Sequence, residues 1–185
     1  MRIIAGTARG RRLEAPRDTL VRPTSDRARE ALFGILAHGT PSLDGARFLD
    51  LFAGTGAVGL EAWSRGAAAV TLVEQDRAAI DVIQTNIRVL GAASVDLLRR
   101  DATRLGRASG DPFDIVFMDP PYHSDLAARA LTGLIGSDWL APSARVIVEL
   151  AARETLVLSP EWALLDERRY GAARFLFIAA ARQGT

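Results

Sequence analysis

Residues 46–66 read "ARFLDLFAGTGAVGLEAWSRG", a short apolar run, a glycine-rich turn and a run with helical spacing. Gly54, Gly56 and Gly59 satisfy G-x-G-x-x-G at the strand-to-helix junction. Glu74 ends the next apolar run, "AAAVTLVE", twenty residues after Gly54. Read literally, this is a dinucleotide fingerprint. An acidic residue at that spacing suits any adenosine with a free ribose diol, because one carboxylate accepts from both hydroxyls. The spacing identifies adenosine-containing cofactors as a class. The same glycines also serve tight strand–helix packing.

Apolar strands alternate with helices on the downstream side. "DRAAIDVIQTNIRVLG" places Ile80, Ile83, Ile87 and Leu90 on one helical face and stops at Gly91. "SVDLLRRD" is a third strand, polar enough for a sheet edge, and "DIVFMD" a fourth, too apolar for half exposure. A helix, "SDLAARALTGLIG", and a fifth strand, "ARVIVEL", follow. "WALLDERRYGAARFLFIAAA" reads as two strands turning at Tyr170 and Gly171, an antiparallel hairpin. The expected fold is a doubly wound α/β sheet closed by that hairpin, and its ligands bind beyond the carboxyl ends of the strands. One domain is expected over residues 1–185, with a basic extension and helix over 1–40 and a core over 46–185.

Composition narrows the chemistry. The 185 residues contain no Cys, which excludes disulfides, zinc–thiolate sites and cysteine nucleophiles, and no metal site is expected. No run approaches the roughly 20 apolar residues of a membrane helix, and the N-terminus lacks the apolar core of a secretory signal. A cytoplasmic setting is expected. The net charge of +1 hides an asymmetry: residues 1–30 hold eight Arg against four acids, the rest fifteen Arg against eighteen acids. A basic arm on a near-neutral body is a nucleic-acid footprint, and equally the composition of a solvated tail. "TSDRAREALFGILAHG" reads as a helix capped by Thr24 or Ser25, with Ala28, Ala31, Leu32, Ile35 and Leu36 facing the body and Arg27 and Arg29 facing away.

One carboxylate at a strand end separates the cofactor classes. Asp50 precedes the glycine turn, where it would repel a pyrophosphate but pair with an ammonium group. S-adenosylmethionine (SAM) carries an α-ammonium and a sulfonium and no phosphate, and its carboxylate suits the N–H groups near Gly56 and Ala57. A loop-capping role is the other reading of Asp50. Asp101, after the third strand, either accepts from the adenine amino group or caps the turn "DATRLG". "DPPY", Asp119 to Tyr122, closes the fourth strand. Pro120 and Pro121 fix their φ angles, so Asp119 and the Pro120 carbonyl are two acceptors in rigid relation, matching the two hydrogens of a planar exocyclic amine. The Tyr122 ring can stack on a flipped base, worth about 1–3 kcal/mol. His123 reads as a solvent-facing turn residue, and Trp63, Trp139 and Trp162 as packing.

"DLFAGTGAVGLEA", "VEQD" and "DPPY" resemble the motifs of class I SAM-dependent methyltransferases that act on exocyclic amines of nucleic-acid bases. "IIAGTARGRRL" and "RPTSDRAREALFGIL" narrow this, resembling the N-terminal signature of the bacterial 16S ribosomal RNA (guanine-N2) methyltransferase family, the RsmD type. The resemblance runs from about Arg2 to the terminal hairpin. It implies a Rossmann-like, mostly parallel seven-stranded sheet and methylation of one small-subunit rRNA guanine, position 966 in the usual rRNA numbering, within the small ribosomal subunit. It also implies that Asp50, Phe52, Gly54, Gly56, Glu74 and Asp101 hold SAM and that Asp119, Pro120, Pro121 and Tyr122 hold the guanine. Arg9, Arg11, Arg12, Arg22, Arg27 and Arg29 are the expected RNA contacts. A DNA adenine-N6 methyltransferase shares DPPY but usually needs a target-recognition domain for which 185 residues leave little room. A nicotinamide-dependent dehydrogenase conflicts with Asp50, and a non-catalytic RNA-binding protein would leave the full set of site residues without use.

Overall fold

A computed structural model describes residues 1–15 and 26–181. Seven strands form one sheet: β1 (Arg47–Leu51), β2 (Ala69–Glu74), β3 (Val95–Arg99), β4 (Phe113–Met118), β5 (Leu140–Ala151), β6 (Trp162–Tyr170) and β7 (Ala173–Ala180). The spatial order is β3-β2-β1-β4-β5-β7-β6. β1 runs parallel to both β2 and β4, and β4 parallel to β5. β7 is antiparallel to β5 and β6, which is the hairpin expected from "RRYGAARF". The polar third strand lies at an edge, as its composition predicts. β5 begins four residues before the expected Ala144, at Leu140, and takes in Pro142 where its register with β4 shifts between Phe113 and Ile115.

Period-two alternation divides the core between the two faces of the sheet. Phe48, Ile115, Phe117, Ile147 and Phe177 face one way, onto α1 (Asp26–Leu36), α2 (Ala57–Ser64) and α3 (Arg77–Leu90). Leu49, Leu51, Val116, Met118, Val146 and Val148 face the other way, onto α4 (Leu126–Leu134) through Ala130 and Leu131. Trp139 and Trp162 are buried in this second layer, Trp139 stacking on Phe113 with ring centroids 5.9 Å apart. These two therefore pack, as expected. β1 and β4 are neighbours although helices and two strands separate them in sequence. The crevice between their carboxyl ends is the topological switch point.

The basic N-terminus is not a loose tail over residues 1–13. It folds back on itself, with Ile3 N–H donating to the Arg11 carbonyl at 3.0 Å and Leu13 N–H to that of Met1 at 3.1 Å. It then docks on α2 through two buried polar side chains. Glu61 is fully buried and accepts from Ile4 N–H at 2.7 Å and Ala5 N–H at 2.9 Å, while Arg65 Nε pairs with it at 2.7 Å. Ser64 Oγ accepts from Ala8 N–H at 2.9 Å and donates to the Ala5 carbonyl at 2.6 Å. Such close contact requires glycine at position 6. Its φ is +83°, and a Cβ there would lie 1.8 Å from the Ser64 carbonyl oxygen.

Arg29 departs from expectation. It is fully buried, beside Phe33 on the docked face of α1, rather than turned outward to meet RNA. Its Nη2 donates to the Arg2 carbonyl at 2.6 Å and to Asp26 Oδ1 at 3.0 Å. Burial lowers its pKa, while the nearby charges of Glu61 and Asp26 oppose that shift. The guanidinium thus satisfies an arm carbonyl inside the protein, and Arg29 is removed from the set of RNA contacts. The Thr24 or Ser25 cap lies outside the described residues.

Glu61→Ala is expected to cost about 3–5 kcal/mol of unfolding free energy, because two arm N–H groups and the Arg65 charge lose their acceptor. Glu61→Gln should cost less. Urea denaturation of the two variants checks both the size and the order.

Candidate active site

Asp50 shares the sheet face of Phe48, so alternation directs its carboxylate under the start of α2. Its Oδ2 accepts from Gly59 N–H at 2.8 Å. Gly59 also lies against the sheet, since a Cβ there would come within 2.2 Å of Leu72 Cδ2. Asp50 is 2 % exposed. Burial raises its pKa from 3.8 to about 8, the bond from Gly59 opposes the rise, and the charges of Asp119 and Glu74 add to it. The loop-capping role is therefore present in the fold. Glu74 and Asp119, at the ends of the adjacent strands β2 and β4, are thus close enough to act on the Asp50 carboxyl.

The turn between β1 and α2 is held from the opposite side by Glu74. Its Oε2 accepts from Gly54 N–H at 2.8 Å, and its Oε1 from Gln75 and Asp76 N–H at 2.8 and 2.9 Å. Phe52, at the entrance to the turn, has φ +62°, an uncommon backbone conformation for an aromatic residue and one that concentrates at functional sites. Gly56 caps α2 in the left-handed conformation. Sequence spacing expected these residues to converge, and they do.

Asp101 stands after β3 with Oδ1 accepting from both the N–H and the hydroxyl of Thr103, each at 2.8 Å. Those two bonds, the backbone one foremost, hold its pKa below the ordinary carboxylate value. This is the turn-capping alternative, realised. One oxygen of Asp101 is thereby committed to its own loop.

Asp119 and Pro120 follow β4 directly, one residue past the Leu51–Met118 pair. Pro120 is buried, Asp119 half-buried, and Tyr122 38 % exposed. Ser124 Oγ donates to the Pro121 carbonyl at 2.6 Å, closing the turn. His123 faces solvent with φ +56°, and its N–H donates to Glu154 Oε1 at 2.9 Å. Glu154 Oε2 accepts from Ala151 N–H at 3.2 Å, and the Arg174 guanidinium donates to the Glu154 carbonyl. Glu154 thus fastens the tetrapeptide's exit to the loop after β5. Sequence reading missed it, because a lone Glu 31 residues away carries no spacing signal.

Among the expected RNA contacts, Arg9, Arg11, Arg12 and Arg27 are exposed. Arg11 also donates to the Val89 carbonyl on α3, at 2.5 Å. Arg22 lies outside the described residues. No group of three or more His, Asp or Glu suited to a metal ion occurs among the described residues.

Asp50→Asn isolates the buried charge. A carboxyl whose folded pKa exceeds its unfolded value holds a proton in the fold that the unfolded chain has already lost, so stability falls as pH rises from about 4 to about 8. Asn keeps an acceptor for Gly59 and cannot ionise. Ligand-free melting at several pH values should show the variant more stable than the parent at pH 8 and the difference shrinking toward pH 4.

The profile of the family described as Conserved hypothetical protein 95 matches residues 1–179. The chain is 38% identical over 185 residues to Ribosomal RNA small subunit methyltransferase D of Escherichia coli, covering all of this chain and 92% of that one. It is 36% identical over 179 residues to the protein of that name from Haemophilus influenzae, covering 95% and 91% of the two chains. A solved putative methyltransferase from Escherichia coli superimposes with a TM-score of 0.85 at 38% identity, covering 99% of each chain. The sheet order, the antiparallel end and these similarities agree: the fold is that of a class I, Rossmann-like methyltransferase, and the chain belongs to the Conserved hypothetical protein 95 family, the RsmD family of methyltransferases.

Proposed function

We propose that this chain transfers a methyl group from SAM to the exocyclic N2 of a guanine in 16S ribosomal RNA, guanine 966 in the usual numbering, within the small subunit. The observation that carries the reading is the convergence of Asp50, Glu74 and Asp119 at the β1/β4 switch point, beside a rigid DPPY turn. A carboxyl raised by its burial and by two neighbouring carboxylates favours a cationic ligand, whereas a dinucleotide brings a pyrophosphate. The substrate class is supported by near full-length similarity to proteins named for small-subunit ribosomal RNA.

The residues fit SAM by the chemistry of the set. Asp50 suits its ammonium, Glu74 the ribose diol, the N–H groups at the start of α2 its carboxylate, and Asp101 the adenine amine. Gly54 and Gly56 shape the backbone of this cradle, and Phe52 sits at its entrance. When bound, the cofactor supplies a methyl on a positively charged sulfur that leaves as a neutral thioether.

Asp119 and the Pro120 carbonyl accept the two N–H hydrogens of the amine. Both acceptors are set by backbone that Pro120 and Pro121 hold rigid, so their geometry is in place before the base arrives. Accepting these hydrogens favours a pyramidal nitrogen whose lone pair is no longer delocalised into the ring. The Tyr122 ring, partly exposed, offers a stacking face that offsets unstacking of the flipped base. The nitrogen gains its bond to carbon as the carbon–sulfur bond breaks. Its surplus proton becomes acidic only after that and is released to water, so nothing has to remove it beforehand. Catalysis rests on positioning and electrostatics rather than on a covalent enzyme intermediate. Arg9, Arg11, Arg12 and Arg27 on the docked arm and α1, with Arg22 between them in sequence, supply phosphate contacts whose loss weakens binding and flattens its salt dependence.

Methyl transfer from labelled SAM to small ribosomal subunits lacking the modification, followed by nucleoside analysis, tests the reading. A single N2-methylguanosine is expected. N6-methyladenosine would keep the amine-gripping turn and overturn the substrate. Asp119→Ala should abolish turnover and change SAM affinity by less than about tenfold, because it removes a contact to the base rather than to the cofactor. Equal losses in both would overturn the division of roles between Asp119 and the cofactor cradle.

A further inference from the structure

Asn86 lies on α3 and is 1 % exposed. Its Oδ1 accepts from Glu14 N–H at 2.7 Å, and its Nδ2 donates to the Glu14 carbonyl at 3.2 Å and to the Thr55 carbonyl at 3.1 Å. The amide thus treats Glu14 as a strand partner would and uses its remaining donor on the residue between Gly54 and Gly56. One buried side chain holds both the end of the N-terminal arm and the glycine turn. A buried amide cannot release one partner without leaving a polar group unsatisfied, so losing one attachment loosens the amide that makes the other.

The arm's other anchors come from all three helices on this face, including the Arg29 guanidinium of α1 on the Arg2 carbonyl. Glu61 and Ser64 grip it from α2, which begins at the glycine turn, and the Val89 carbonyl on α3 accepts from Arg11. Lifting the arm would therefore strip the Asn86 amide of its Glu14 partners and leave the Thr55 bond alone to orient it.

We propose that Asn86 is a positioning residue that couples docking of the N-terminal arm to the shape of the Gly54–Gly56 turn, so that the cofactor binds more tightly when the arm is seated. The proposal rests on reading that turn as the cofactor cradle. Coupling of this kind is reciprocal: RNA gripped by the arm and cofactor held by the turn alter each other's affinity by one common factor.

The arm can be unseated without touching the turn. Gly6→Ala drives a Cβ into the Ser64 carbonyl at the far end of α2. SAM is titrated by calorimetry, without RNA, into the full-length parent, Gly6→Ala, Asn86→Ala and the double variant. Each single variant is expected to bind about 5- to 20-fold more weakly, within the range of ordinary allosteric coupling. The double variant should be no weaker than Asn86→Ala, since both act through one link. A purely structural arm would lower the melting temperature of Gly6→Ala and leave its SAM affinity unchanged, which would overturn the proposal. Multiplying losses in the double variant would also overturn it. If Gly6→Ala does not fold, Ser64→Ala replaces it, deleting the bonds to Ala8 and Ala5 without crowding, with the same expectations. No SAM binding by the parent would overturn the cradle reading itself. Because RNA is absent, failure here leaves the RNA substrate untouched, and failure of transfer to subunits leaves the coupling standing.

Discussion

The bond from Gly59 N–H to the buried Asp50 carboxylate fixes the rest of the candidate site. It seats the first turn of α2 over the end of β1, and that seating is possible only because residue 59 has no side chain to hold the helix off Leu72. Once α2 is in place, the turn from Phe52 to Gly56 is held from two sides. Glu74 accepts from it on the β2 side, and Asn86 donates to it from α3. The same helix presents Glu61 and Ser64 to the arm at its other end. A contact between a strand end and a helix start thus sets the cradle and the arm together.

That contact keeps a carboxylate where water is absent and two others are near, which is why the pKa of Asp50 is raised to about 8. A fold selected for stability alone would place an amide there, since Asn accepts the same bond from Gly59 and carries no ionisable group to desolvate. The raised carboxyl holds its proton near neutral pH, and a cation beside it would draw that proton off and stabilise the charged form. In the proposed reading, SAM is that cation and the desolvated carboxylates strengthen the pairing. In the same reading the acidic crevice meets the cationic cofactor, and the exposed arginines of the arm meet the polyanionic substrate.

Much of this was legible in the sequence because the signals were local and repeated. Apolar runs at strand spacing, helical faces such as Ile80, Ile83 and Leu90, and the glycines after Asp50 each predict an element within a few residues. The rule that ligands collect at strand ends then brings Asp50, Glu74 and Asp119 together before any coordinates. What escaped was set by single bonds between side chains and distant backbone. Arg29 reads as a surface cation because its partner, the Arg2 carbonyl, is 27 residues away and every residue has a carbonyl. Glu154 and Asn86 were silent for the same reason, since their partners are the N–H and carbonyl groups of His123, Glu14 and Thr55. The arm looked like a candidate tail because its arginines dominate its composition, whereas its docking depends on Gly6 and on two polar residues of α2.

Those long-range bonds also explain why the arm can be both basic and ordered. Charge repulsion among Arg2, Arg9, Arg11 and Arg12 would extend a free segment of this composition. Here Glu61 and Ser64 satisfy its backbone N–H groups, and the Arg29 guanidinium satisfies a backbone carbonyl, so docking consumes peptide groups and leaves the side chains of Arg9 and Arg12 outward. Holding a strand by its backbone is insensitive to which side chains it carries. In the proposed reading it presents a preformed basic surface whose ordering cost is met during folding rather than on meeting RNA, which favours affinity at a given number of phosphate contacts.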